Sequence, residues 1–151
     1  MKDIFKQDVS DEIIFRIGNL RPDLKPLWGK MNPAQMLAHC NVTYVYTYTP
    51  ENFKKRNLFL KFILKNFIKN YVVSDKPYSK NGKTGPDFII SDNREFEKEK
   101  ALLIENIQKT QKLGAGYFEG KENFSFGKMT AKEWSTLFYK HLDHHLSQFG
   151  V

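Results

Sequence analysis

At 151 residues, with 40% hydrophobic and 15% aromatic side chains, the chain suits a single domain over 1–151 with its own core, and it is too apolar for a disordered one. The one cysteine, Cys40, excludes an internal disulfide framework and a cysteine-based zinc ribbon. With an amino end that lacks the apolar core of a signal peptide, and no apolar run of about 18 residues, it points to a reducing, cytoplasmic location. The formal net charge of +7 belongs to one stretch: Glu51–Lys83 holds nine Lys/Arg against two acids, and the rest of the chain is neutral. A local excess of this kind is weaker support for nucleic-acid binding than a basic domain.

Five stretches read as helices, and no sustained alternation competes with them. The first is short, with Ser10 placed to cap it, Asp11 and Glu12 in its first turn and Gly18 at its stop. LRPDLKPLWGKM follows as an extended connection. The second helix opens at Asn32-Pro33 with Gln35 at N3 and runs to about Tyr48. The third runs from about Asn52 to Tyr71, with Phe59, Phe62, Ile63, Phe67 and Tyr71 on one face and Lys61, Lys65 and Lys69 as a stripe. Residues 72–92 are rich in turn formers, and a loop of this length is a lid, an insertion or a mobile segment. The fourth helix begins after Asp92, with Asp92 and Glu95 as a capping box and Phe96, Leu103 and Ile107 inward, and Gly114 ends it. After a glycine-rich connection the fifth helix starts at a capping box, Thr130 with Glu133, and continues through Gln148. The pattern predicts an all-α antiparallel four-helix bundle with a short extra N-terminal helix.

All four histidines fall in two of these helices: His39 in the second, and His141, His144 and His145 in the fifth. His141 and His145 are i and i+4, so both imidazoles leave one helix face about one turn apart. His39 lies seven residues after Asn32, and His141 and His145 lie eleven and fifteen after Thr130. At about 100° per residue these offsets place the three within roughly 80° of one another around their helices. The same Gly-Lys-Met precedes both caps, at Gly29–Met31 and Gly127–Met129, which aligns the two counts. On the fifth helix, Trp134, Leu137, Phe138, Leu142 and Phe149 form the apolar arc that contains His141 and His145. Imidazoles in an apolar face need a partner for each nitrogen. A divalent ion, Zn²⁺ or Ni²⁺, is one such partner; three neutral imidazoles would hold it with a coordination position open. The alternative is three hydrogen-bonded core histidines.

MNPAQMLAHC, followed near the carboxyl end by FGKMTAKEWSTLFYKHLDHHLSQFG, resembles the DinB-like (damage-inducible) four-helix-bundle superfamily, in its branch with a KHLDHHLxQFG-type ending. The resemblance covers both histidine helices and the overall length. It implies a metal held by His39, His141 and His145. It also implies a metal-dependent hydrolase or a thiol-dependent S-transferase, with a low-molecular-weight thiol such as bacillithiol or mycothiol as partner, and a homodimer.

Around this triad, Gln148, three residues after His145, either orients an imidazole or is a solvated terminal side chain. His144 is a rim group or simply exposed, and Thr43 either lines the cavity one turn from His39 or is a polar spacer. Cys40 points about 100° away from His39 and reads as a small core residue. Trp28 and Trp134 read as core anchors, Glu133 and Asp143 as capping or exposed acids. No phosphate loop, nucleophile elbow or catalytic Ser/His/Asp order is present. The lysine stripe reads first as a solvated face. Its sharper reading makes the protein a non-enzymatic binding module, presenting the 51–83 surface to anionic membrane or nucleic acid.

Overall fold

The computed structural model describes residues 1–54 and 57–151. Lys55 and Arg56, placed by the sequence in the third helix and the basic segment, lie outside the described residues. The described chain is mostly helical: α1 (Gln7–Gly18), α2 (Pro33–Tyr48), α3 (Leu58–Ile63), α4 (Lys69–Val73), α5 (Phe96–Phe118) and α6 (Ala131–Gln148). Two short strands, β1 (Glu122–Asn123) and β2 (Gly127–Lys128), pair antiparallel between α5 and α6, with Glu122 opposite Lys128. They are too short for alternation to announce them.

The two histidine-bearing helices begin where their caps demand. In α2 the Asn32 side chain accepts from the Gln35 N–H at 2.9 Å, and the Gln35 side chain accepts from the Asn32 N–H at 3.1 Å. Thr130 and Glu133 repeat the arrangement at the start of α6, at 3.2 and 2.9 Å. Each box satisfies two backbone donors that the first helical turn leaves without partners, and such a cap stabilises by about 1 kcal/mol. The shared Gly-Lys-Met has a structural counterpart: Gly29 and Gly127 both hold left-handed φ, +81° and +70°, which turns the chain into each cap.

Elsewhere local expectations give way. Ser10 does not cap α1; it lies buried inside that helix, donating its hydroxyl to the Gln7 carbonyl, and the N-cap residue is Lys6. The Asp92–Glu95 box does not form. Asp92 is engaged by Arg94 at 3.1 Å, and α5 begins only at Phe96. Gly114 does end the helical geometry that begins at Phe96. At φ +69° it kinks the backbone, and helical geometry resumes as far as Phe118. The third predicted helix begins at Leu58, not Asn52. A 3₁₀ turn, Pro50–Asn52, precedes it, and a π-helical stretch, Leu64–Ile68, joins α3 to α4 without a break.

The core forms where α1, α2, α5 and α6 meet. Ile13 and Ile17 face Leu37, Tyr44, Leu103, Ile107, Trp134, Phe138 and Leu142, all buried. Tyr44 stacks on Phe138 with ring centroids 5.1 Å apart. This packing locks α2 against α6 and fixes which of their faces meet. Among the described residues no helix is long and apolar enough to cross a membrane.

Candidate metal centre

The meeting faces of α2 and α6 carry His39 from the first helix and His141 and His145 from the second. One nitrogen from each ring lies within 4.8 Å of the others, and no other such group of His, Cys, Asp or Glu occurs among the described residues. Ring centroids are 4.9 Å apart for His39 and His141, 4.5 Å for His39 and His145, and 4.8 Å for the i, i+4 pair. His39 is 4% exposed and His145 8%, while His141 keeps partial access to solvent.

Every Nδ1 is tied to an oxygen. The Phe88 carbonyl lies 2.8 Å from Nδ1 of His39; a carbonyl only accepts, so that nitrogen carries the proton and Nε2 keeps its lone pair. Gln148 donates its amide to the Trp28 carbonyl at 2.6 Å, which turns its Oε1 toward Nδ1 of His145 at 2.9 Å with the same consequence. Thr43 Oγ1 sits 3.1 Å from Nδ1 of His141 and, as a hydroxyl, can donate or accept. His39 Nε2 and His141 Nε2 face each other at 2.9 Å. Two lone pairs at that separation repel, so two arrangements remain. Either His141 donates from Nε2 to His39 while Thr43 donates to its Nδ1, or Thr43 accepts from Nδ1 and a cation takes the lone pairs. The two differ by one proton on one ring and a hydroxyl rotation.

Burial holds these imidazoles neutral. It lowers the pKa of His39, outweighing the Phe88 hydrogen bond, and with His145 and His39 as like-charged neighbours it lowers that of His141 well below the usual value. His145 is lowered to about 3, again mainly by burial. Neutral imidazole is the form that binds metals.

Other residues singled out by the sequence fall around this centre. Gln148 and Thr43 are buried and contact His145 and His141. His144 stays out of the group; half-buried at the rim, its ring lies 5.0 Å from His145, between Trp28 and Tyr78. Trp28 is therefore no core anchor. It is partly exposed beside His144, with Lys80 Nζ 4.5 Å from its ring, whereas Trp134 is fully buried as expected. Cys40 is a core residue whose thiol faces Met36 and whose pKa burial pushes up, and Asp143 pairs with Arg16 at 2.7 Å.

Phe88 is what sequence reasoning missed. It closes the 3₁₀ turn Pro86–Phe88, and its ring stands edge-on to His39 at 5.5 Å while its carbonyl holds that ring. Tyr46 of α2 secures the turn through the carboxylate of Asp87. The long loop was the available hint, but a contact made by a backbone oxygen leaves no residue-type signature.

A family profile described as protein of unknown function, DUF1569, matches residues 5–150. The chain belongs to the DUF1569 family. No curated protein and no solved structure matches it. The match takes in every residue of this centre from His39 to Gln148, but the family description supplies no chemistry. The donor set has to be judged on its own. Three neutral imidazoles, each with an oxygen partner on Nδ1 and with no carboxylate or thiolate among them, fit a divalent metal ion.

Proposed function

We propose that this protein is a metal-dependent enzyme of the DinB-like four-helix type, in which His39, His141 and His145 hold one divalent ion, Zn²⁺ or Ni²⁺. The reaction class is hydrolysis or transfer to a low-molecular-weight thiol. One observation carries the reading: all three Nδ1 atoms have oxygen partners, and the three rings converge, with Nε2 of His39 facing Nε2 of His141. Imidazoles that served only as core packing would have no need to point their remaining nitrogens at each other.

An ion held by three uncharged ligands keeps its full charge and supplies acidity to a bound water or thiol. The chain does the rest. Gln148, Thr43 and the Phe88 carbonyl fix ring orientation, the Phe88 ring covers His39 and His141, and the partial exposure of His141 leaves one side for a substrate.

Elemental analysis of protein purified without a nickel column tests the centre. About one equivalent of metal is expected, falling below about one-tenth in His141→Ala/His145→Ala; substoichiometric metal in the parent, or full retention in the variant, overturns it. A thiol and electrophile screen on the loaded protein, bacillithiol included, then tests the reaction class. Metal loading without turnover rejects the enzymatic half and leaves the centre standing.

A further inference from the structure

The continuous helical rod of residues 58–73, formed by α3, the π-helical stretch and α4, leaves several of its large apolar side chains in water. Leu58 is 86% exposed, Phe59 73%, Phe62 59% and Phe67 68%, and no residue of the rod reaches core burial. Single exposed apolar residues are ordinary on a protein surface. Four within ten positions of one rod form a patch. Leu58, Phe59 and Phe62 share a face by α-helical spacing, and Phe67 follows Phe62 by five. Phe67 lies within the π turn Leu64–Ile68, whose i→i+5 hydrogen bonding brings residues five apart toward one side.

The end of the rod packs Val72 and Val73 against the core, and polar tethers hold it as well. Lys69 pairs with Glu133 at 2.8 Å and donates to the Lys128 carbonyl at 3.2 Å, while Lys140 from α6 donates to the carbonyls of Tyr71 and Ser74 at 2.7 and 3.0 Å. Ahead of Val72 and Val73 this inverts the usual packing of an amphipathic helix, which lays its apolar stripe on the core and its charges outside. The tethers also divide the lysine stripe: Lys69 is turned inward to Glu133, Lys65 is exposed with its stem beside Gly127, and Lys61 is half-buried.

We propose that the 58–73 rod docks on an anionic lipid bilayer surface, with Phe59, Phe62 and Phe67 entering the boundary between headgroups and acyl chains. The basic side chains of Lys54, Lys61 and Lys65 then meet the lipid phosphates. Charge selects this occupant. From Asn52 to Ser74 there is no acidic residue, and the whole +7 of the chain lies in 51–83. A second copy seated on the same face would bring two such segments together, so repulsion opposes a dimer there. A nucleic-acid backbone matches the charge but leaves the phenylalanines in water. An anionic bilayer accepts both, and a rod too short to span the membrane lies in the interface. This inference uses none of the histidine chemistry.

Sedimentation with phosphatidylcholine vesicles containing about one-third phosphatidylserine tests it. Retention is expected on these and not on pure phosphatidylcholine, with loss at high salt. Phe59→Ser/Phe62→Ser/Phe67→Ser and Lys61→Glu/Lys65→Glu should each weaken retention on the order of tenfold. Because only surface side chains change, thermal melting checks that the variants stay folded. Phe62→Trp keeps the face apolar and should show a blue-shifted emission on the anionic vesicles alone. Absent retention, retention unaffected by both variant sets, an unshifted Phe62→Trp, or a dimer that the phenylalanine variant dissolves would each overturn the proposal. So would preferential retention on single-stranded DNA.

Discussion

In α6 the polar side chains are inside: Lys140, His145 and Gln148 are all buried, and each has its partners within the molecule. In the 58–73 rod several large apolar side chains are outside, and three phenylalanines stand largely in solvent. Both regions set burial against side-chain chemistry, and both carry a cost that an ordinary helix avoids. The cost differs in where it is offset. In α6 carbonyls, an amide and a hydroxyl satisfy the buried groups, and only the ring edges of His141 and His145 that converge with His39 are left to a cation. For the rod, the compensating surface lies outside the protein.

The largest expected effect separates the two regions by stability. Trp134, fully buried against Phe118 and Phe138, should cost about 3–5 kcal/mol on replacement by alanine, a fall in melting temperature of roughly 10 °C or more. Phe62→Ala, on the rod, should stay within about 0.5 kcal/mol. Thermal or urea unfolding of both variants decides it. A comparable loss from Phe62→Ala would mean that the rod's aromatic face is covered in solution.

Acid sharpens the contrast next, because the rod has no histidine and the centre has three. Each imidazole of the centre has a folded pKa below its unfolded value of about 6.5, so the unfolded chain binds more protons there. Stability from these groups is complete above pH 6.5 and falls as pH drops below it. Each contributes up to about 1.4 kcal/mol per pH unit. For His145 the window extends down to about 3. Melting temperatures measured from pH 8 to 4 should fall below pH 6.5 in the parent and fall less steeply in His145→Leu. Equal slopes would show that His145 is protonated at little cost and the pocket is wetter than its burial implies.

What the sequence disclosed in advance also divides along this line. The starts of α2 and α6 and the convergence of His39, His141 and His145 were legible because capping boxes and i, i+4 spacing are local properties of a helix, and two phased helices make one prediction. The start of α5 was not. Asp92 meets Arg94 within two residues, and such short-range bonds compete with capping. The amphipathic pattern of 58–73 was visible, but which way it faces is settled by tethers from Lys140 and Glu133, dozens of residues away in the chain. The roles of Phe88 and Trp28 rest on their carbonyls, which every residue possesses.

Within the centre, the oxygen partners predict smaller effects than the ligands. Gln148→Leu removes the acceptor of His145 Nδ1 and frees that ring to turn or change tautomer, and Thr43→Val does the same for His141. Each should weaken metal affinity about 10–100-fold, measured by competition with a chromophoric chelator. The fold should persist, since neither side chain belongs to the apolar core. Unchanged affinity in both would show that packing alone holds the rings, and the hydrogen-bonded ordering that sets α6 apart from the rod would lose its meaning.

The smallest expected effect comes from a position that contacts no histidine. Gly29 has φ +81°, and a Cβ placed there would lie 2.6 Å from Nε2 of Gln148, the atom that donates to the Trp28 carbonyl. The left-handed backbone alone penalises alanine by roughly 1–2 kcal/mol. The clash acts on a buried amide whose other end holds His145, so it cannot be relieved without disturbing that contact. Gly29→Ala should therefore lower stability by about that amount and also weaken metal binding, although the substituted residue lies outside both histidine helices. Gly127→Ala is the internal control. It has a left-handed φ of +70° in the matching Gly-Lys-Met, but its nearest neighbour would be the Lys65 side chain at 3.9 Å. The two variants should share the backbone penalty, and only Gly29→Ala should lose metal affinity. An equal loss in both would assign the effect to the turns and release Gln148 from its role.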